Sequence, residues 1–178
     1  NVSCFRESNG IVTVTASGGT GALQYMLIED ASNLTGAASG VFTGLRAGSY
    51  RIRVTDINTC FVTTTAVTVT QPANLTITIA KSSPYNGFDL SCAGASDGEI
   101  HVTATTGGTG PYTYALDGFP GNTTGQTSGS FTGLSAGLYT ITVTDANSGD
   151  PFGPCTKQSL PIFINDPVPL GVNLVGFD

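Results

Sequence analysis

Apolar and polar residues alternate with a period of two along much of this chain. Across Gly10–Ala16, Val12, Val14 and Ala16 fall on one side and Ile11, Thr13 and Thr15 on the other. The stretch Tyr50–Asp56 does the same, with Tyr50, Ile52 and Val54 opposite Arg51, Arg53 and Thr55. That period belongs to a strand with one buried face. Leu23–Ile28 and Phe61–Thr70 predict further strands in the first half; Ile100–Ala104, Tyr112–Leu116, Tyr139–Val143 and Ser159–Ile164 predict them in the second. Leu75–Ala80 is a short β run between the halves. The glycine-rich stretches 18–21 and 107–110 supply the positive-φ positions of tight reversals. Gln71-Pro72 and Asp166-Pro167 end strands, because proline cannot extend a ladder. Lys81–Leu90 reads as a loop, with turn signals at Ser83-Pro84 and Asn86-Gly87. No helical period competes. The expected class is all-β, built as two tandem immunoglobulin-like β-sandwich domains.

The tandem arrangement follows from self-similarity. An offset of 89 carries Tyr25, Phe42, Leu45, Gly48, Tyr50, Val54 and Asp56 onto Tyr114, Phe131, Leu134, Gly137, Tyr139, Val143 and Asp145. Residues 1–74 form the expected first repeat, without the opening strand that Leu75–Ala80 gives the second, and residues 75–169 form that second repeat. Asp166, Pro167 and Leu170 echo Gln71, Pro72 and Leu75, so 170–178 reads as the start of a following repeat or a terminal strand. The chain is expected to be a segment of something longer.

Composition narrows the function classes. The chain has 178 residues, of which 10% are charged and 39% hydrophobic, which suits a folded β chain rather than a disordered one. Its net charge is −6. The first repeat balances four arginines against four carboxylates, and the second holds Lys81 and Lys157 against eight. No basic stripe exists, so nucleic acid is not an expected partner. No apolar run is long enough for membrane insertion. Catalysis is not expected either. His101 is the single histidine and falls on an outward strand position, without partners that would make it a base. Glu29 and Asp30 are adjacent, and adjacent strand residues point apart. The glycine clusters lack the lysine of a phosphate loop.

Three sets of residues carry structural or binding chemistry. Tyr50 and Tyr139, each at the end of a Leu-x-Ala-Gly-x-Tyr run, are expected to form tyrosine corners, in which the hydroxyl bonds to backbone upstream. Asp145, Asn147 and Asp150 space oxygen ligands like the beginning of a calcium loop, without its later bidentate glutamate; Asx turn chemistry is the competing reading. Apart from that calcium candidate, no cofactor is expected. Cys4 and Cys92 sit early in their repeats, Cys60 and Cys155 late. Four cysteines allow three connectivities, and the pairs Cys4–Cys60 and Cys92–Cys155 are preferred because each repeat then folds alone. Such a bridge would contribute about 4 kcal/mol in the chain-entropy model. If 30–40 forms a strand, Cys4 and Cys60 lie at opposite ends of a sandwich; if it is only a loop, the ends coincide. Exposed Arg51 and Arg53, and Phe61, Phe119 and Phe152 near turns, are candidate contacts for polysaccharide. Sequons occur at Asn33, Asn74 and Asn122 and are read as chance.

Together these landmarks resemble the SprB repeat, a building block of large surface adhesins of gliding bacteria. The second repeat carries Cys92, the run Gly107 to Pro111 with Tyr112 and Tyr114, Leu134 to Tyr139, Val143 to Asp145 and Cys155. The first carries Cys4, Gly18 to Gly21, Tyr25, Leu45 to Tyr50, Val54 to Asp56, Cys60 and Gln71-Pro72. It departs from the pattern at Ala22-Leu23 and Thr59, and the second repeat inserts residues 148–154 before Cys155. The resemblance implies a non-catalytic stalk or spacer segment of an adhesin exported by type IX secretion and displayed extracellularly at the outer membrane. There it would contact the substratum during gliding. The expected partners are neighbouring repeats of the same polypeptide and surface polysaccharide, with the segment itself a monomer. A glycan-binding module and linker domains of a secreted multidomain enzyme are the rival readings.

Overall fold

The computed structural model describes residues 1–119, 121–147 and 152–175, and among these every regular element is a strand. The chain divides into two compact units, Asn1–Asn74 with Asn147–Pro154, and Leu75–Ala146 with Cys155–Asp178.

The first unit holds β1 (Gly10–Thr13), β2 (Gln24–Leu27), β3 (Val41–Leu45), β4 (Gly48–Tyr50), β5 (Ile52–Thr55), β6 (Phe61–Thr63) and β7 (Val67–Val69). The second holds β8 (Thr76–Lys81), β9 (Gly98–Thr106), β10 (Thr113–Asp117), β11 (Ser130–Leu134), β12 (Gly137–Thr144), β13 (Thr156–Gln158) and β14 (Ile162–Ile164). All pairings are antiparallel.

Each unit is an immunoglobulin-like sandwich of two sheets. In the second, β11-β9-β8 faces β10-β12 with β13 and β14 along the other edge of β12. In the first, β3-β1 faces β2-β5-β6, which β4-β7 continues. The side chains between the sheets correspond position by position. Val2, Val12, Leu27, Phe42, Leu45, Ile52 and Val69 form the first core. Leu90, Ile100, Leu116, Phe131, Leu134, Ile141 and Ile164 form the second. Alternation is what puts them there: Ile52 and Val54 are buried while Arg53 and Thr55 between and beyond them are half-buried.

Two expectations are corrected in detail. Phe61–Thr70 and Ser159–Ile164 are not unbroken strands. Each is interrupted where a hydroxyl takes over from the backbone: Ile52 N donates to Thr64 Oγ1 and Ile141 N to Ser159 Oγ, both at 3.0 Å. The Phe-Thr-Gly-Leu landmarks are themselves strands, β3 and β11, with a register shift at each. Gly44 and Gly133 accommodate these bulges at φ 73°.

Candidate functional site

The side chains that recur at the 89-residue offset fasten loops to strands. Asp56, just past β5, accepts Thr20 N on Oδ2 (3.1 Å) and Asn58 N and Cys60 N on Oδ1 (3.0 and 2.9 Å). Asp145 does the same after β12, with Thr109 N on Oδ2 (2.9 Å) and Cys155 N on Oδ1 (2.8 Å). One carboxylate thus ties the chain beyond its strand to the glycine-rich loop of the neighbouring one. Glycine is required opposite it: Gly108 has φ 60°, and a Cβ there would lie 2.9 Å from Asp145 Oδ2.

Tyr50 and Tyr139 donate from their hydroxyls to the carbonyls of Arg46 (3.0 Å) and Ser135 (2.9 Å), four residues upstream in the arch that joins the two sheets. Replacing Tyr139 with phenylalanine keeps the ring and leaves that carbonyl unpaired. The second unit should lose about 1 kcal/mol, read as a lowered denaturant midpoint at unchanged m-value.

A third fastener escaped the sequence. Asn33 Nδ2 donates to Thr43 O (2.9 Å), Thr35 Oγ1 to Asn33 Oδ1 (2.7 Å), and Thr43 N to Thr35 Oγ1 (2.9 Å). Asn122, Thr124 and Thr132 repeat the arrangement at 2.8, 2.7 and 3.2 Å. These are the Asn-x-Thr sequons at two of the three positions. Their spacing of 89 was the available signal, and it marks them as loop clasps, not chance.

The cysteine pairing is corrected. Cys4 and Cys155 are each in a disulfide, whereas Cys60 and Cys92 are free thiols and exposed. Neither Cys4–Cys60 nor Cys92–Cys155 forms. The reason is the length of the sandwich. Val2 N donates to Thr70 O, which places Cys4 beside the end of β7, where Gly48 also lies opposite Val69. Cys60 lies beyond the other end, where Thr55 pairs Phe61. The run from Gly48 to Thr55 spans roughly 26 Å, far beyond the ~7 Å that a disulfide tolerates between Cα atoms. Residues 30–40 contain no strand, yet they carry the chain back along the sandwich, from β2 to the Gly40 carbonyl that accepts Val14 N at 2.9 Å. The same separation holds in the second unit. Gly94 N donates to Asp166 at the Gly137 end of β12, and Asp145 N to Cys155 O at the Thr144 end.

The calcium candidate is only partly described. Asp150 lies outside the described residues. Asp145 is buried with both oxygens on backbone amides, and Asn147 Nδ2 donates to Ser3 O at 3.3 Å. Among the described residues no cluster of three metal-ligating side chains occurs.

The polysaccharide candidates are also engaged. Arg51 pairs with Glu29, whose carboxylate takes Arg51 Nε at 2.8 Å and Arg51 N at 2.6 Å. These contacts hold the Glu29 carboxyl below its ordinary range. Arg53 stacks over Phe61 with its guanidinium carbon 3.7 Å from the ring centre, a cation–π contact. Phe119 and Phe152 are exposed. His101 is half-buried on β9, opposite Ser130 and Ala80, with no acid beside it in register. At the positions matching Arg51 and Arg53, Thr140 and Thr142 instead donate to Asp117 (3.0 and 3.1 Å).

One buried ion pair is peculiar to the second unit. Asp89 accepts Lys81 Nζ (2.6 Å), Ser83 Oγ (2.5 Å) and Asn165 N (2.7 Å). Burial pushes its carboxyl up, but the lysine and these donors outweigh burial and hold it at about 2. At the matching place in the first unit Asn1 accepts Thr70 N (3.1 Å).

Comparison with known proteins adds the following. No curated protein sequence matches the chain. Among solved structures, a C-terminal 282-residue fragment of intimin, in complex with the intimin-binding domain of its translocated receptor, aligns over 88% of this chain and 56% of its own at 16% identity and TM-score 0.38. Extracellular cadherin domains 1–4 of protocadherin gamma B7 align over 81% and 40% at 12% identity and TM-score 0.32. Domains 4–9 of the surface layer protein SbsC align over 89% and 23% at 19% identity and TM-score 0.27. The chain therefore spans little more than half the length of the first of these and less of the others. The SprB repeat model matches residues 1–31 and 88–120, one segment in each unit, so the resemblance carried by the sequence landmarks is found at two places in the chain.

Proposed function

We propose that this chain is a non-catalytic repeat segment of a cell-surface adhesin, acting as a stalk or spacer. The observation that carries this reading is what the repeats have in common. Their shared polar side chains, Asp56 and Asp145, Tyr50 and Tyr139, Asn33 and Asn122, are spent on fastening loops. The outward faces differ: an arginine stacked on Phe61 in one, threonines on Asp117 in the other. A shared frame with unshared surfaces suits a unit whose length and stiffness matter more than a common ligand. Two segments matching the SprB repeat support a surface location and a place in gliding adhesion.

The test is binding of the purified chain to a panel of surface polysaccharides, with calcium and with chelator. We expect no saturable binding in either condition and no change in unfolding temperature on chelation. Saturable binding would replace the spacer with a glycan-binding module. Loss of that binding in chelator would make the Asp145, Asn147 and Asp150 loop its cation site.

A further inference from the structure

The second unit brings three groups that can react with one another to a single buried carboxylate. Lys81 closes β8, and Asn165 directly follows β14. Asp89 lies between them and is 2% exposed. Its Oδ2 accepts Lys81 Nζ at 2.6 Å, Asn165 N at 2.7 Å and Asn165 Nδ2 at 3.2 Å. A bond from Lys81 Nζ to Phe163 O (2.8 Å) holds the lysine against β14, two residues before the asparagine. Ser83 Oγ takes Oδ1 at 2.5 Å, which leaves Oδ2 to the lysine and the asparagine. An amine nitrogen and a carboxamide nitrogen therefore meet on one oxygen. The ion pair does not require that carboxamide, because a backbone amide would donate to Oδ2 from any residue but proline.

These are the parts of an amide exchange. A lysine amine is a nucleophile once it has lost a proton, and a carboxamide carbon is its target. A carboxylate that touches both nitrogens can carry protons from one to the other. Carboxamides resist amines in free solution, but fixing both reactants in place replaces a very high concentration. The Asp89 carboxyl, held at about 2, is ionised and able to accept the proton, yet binds it weakly. The exchange is slow for that reason, and freshly folded chain holds the ion pair. Asn165 is exposed, so the released nitrogen escapes to solvent. In the first unit Thr70 takes the place of Asn165, its amide donating to Asn1 at 3.1 Å, and threonine offers no acyl carbon.

We propose that Lys81 and Asn165 join through an intramolecular isopeptide bond, with Asp89 as the proton carrier. The Lys81 ammonium gives a proton to Asp89 Oδ2, and Nζ attacks Asn165 Cγ. The bond from Cγ to Nδ2 breaks as the new bond from Cγ to Nζ is completed. The two protons that Nζ gives up leave with Nδ2 as ammonium, and the Asp89 carboxylate is restored. Nothing is oxidised or reduced, and no co-reactant is consumed. The bond ties β8, which opens the second unit, to the chain just past β14, which closes it. Tension along the chain would then pass from Lys81 to Asn165 without unfolding the strands between. The inference stands whether or not the parent protein is an adhesin.

The test is the intact mass of the whole chain, reduced and denatured, after refolding and incubation at neutral and mildly alkaline pH. A fraction that grows with time and with pH should be lighter by one ammonia. Its tryptic digest should lack the cut after Lys81, and residues 54–157 should stay joined to 158–178. Lys81→Arg keeps a cation on Asp89 but removes the amine nucleophile. Asn165→Ser keeps the backbone donor but removes the acyl carbon. Both variants should fold, as read by circular dichroism, and neither should form the joined peptides. A parent that keeps its full mass and its cut after Lys81 overturns the proposal. So does ammonia loss with that cut intact, which would be asparagine cyclisation of the kind the Asn86-Gly87 turn allows. Joined peptides in either variant overturn it as well.

Discussion

Replacing Asp89 with asparagine should destabilise the second unit by about 3 kcal/mol. The carboxylate is 2% exposed and its lysine partner is only partly open to water, at 27%. Removing the charge leaves the Lys81 ammonium with neutral acceptors in place of its counter-charge, and it takes the negative acceptor from Ser83 and Asn165. The effect has a pH signature. The carboxyl titrates at about 2 in the folded unit against 3.8 ordinarily. A depressed value means stability that is fully present above the unfolded value and is lost as pH falls through the folded one. The difference amounts to about 2 kcal/mol. The second unit should therefore weaken between about pH 4 and 2, and the asparagine variant should lack that part of the slope. The first unit, with Asn1 at the matching place, should lack this contribution and show only the acid sensitivity that its lowered Glu29 carboxyl brings. Acid titration of unfolding followed by hydrogen exchange in each unit separates the two.

The second large effect is expected at Phe131. Its ring is fully buried, and Gly125 lies so close that a Cβ there would meet the ring at 2.7 Å. Phe131→Ala should cost about 3–5 kcal/mol, enough to lower the melting temperature of this unit by roughly 15–25 °C. Gly125→Ala tests the same packing from the other side and should cost about 1–3 kcal/mol by overpacking. Combining the two substitutions should cost less than their sum, because alanine at 131 vacates the space that the new methyl needs. Differential scanning calorimetry of the four proteins gives the cycle.

Most of the frame was legible in the sequence, and the reason is the core. Alternation around Ile52, Val54, Ile141 and Val143 fixes which faces are buried, and repetition doubles the signal. The tyrosine hydroxyls follow from the Leu-x-Ala-Gly-x-Tyr arch, a local pattern. What was not legible depends on distance through space. Loop 30–40 travels the length of the sandwich without strand periodicity, so the cysteines that look paired in order are held far apart. Thr64 and Ser159 break their strands because a hydroxyl bonds across to the neighbouring strand, which composition does not announce. In the sequence Asp145 fits both the turn and the cation reading, because clasping backbone amides and binding a metal ask for the same oxygen.

The free thiols at Cys60 and Cys92 make the unaltered chain suitable for single-molecule mechanics. One lies in each unit, both are exposed, and 31 residues separate them in sequence. Maleimide-coupled tethers would attach at those two points without an engineered cysteine. Pulling between them would load β6, β7 and β8 directly, while leaving β2, β5, β10 and β12 outside the stretched path. The forces at which β6, β7 and β8 detach from β5, β4 and β9 would then be read without a handle at either terminus.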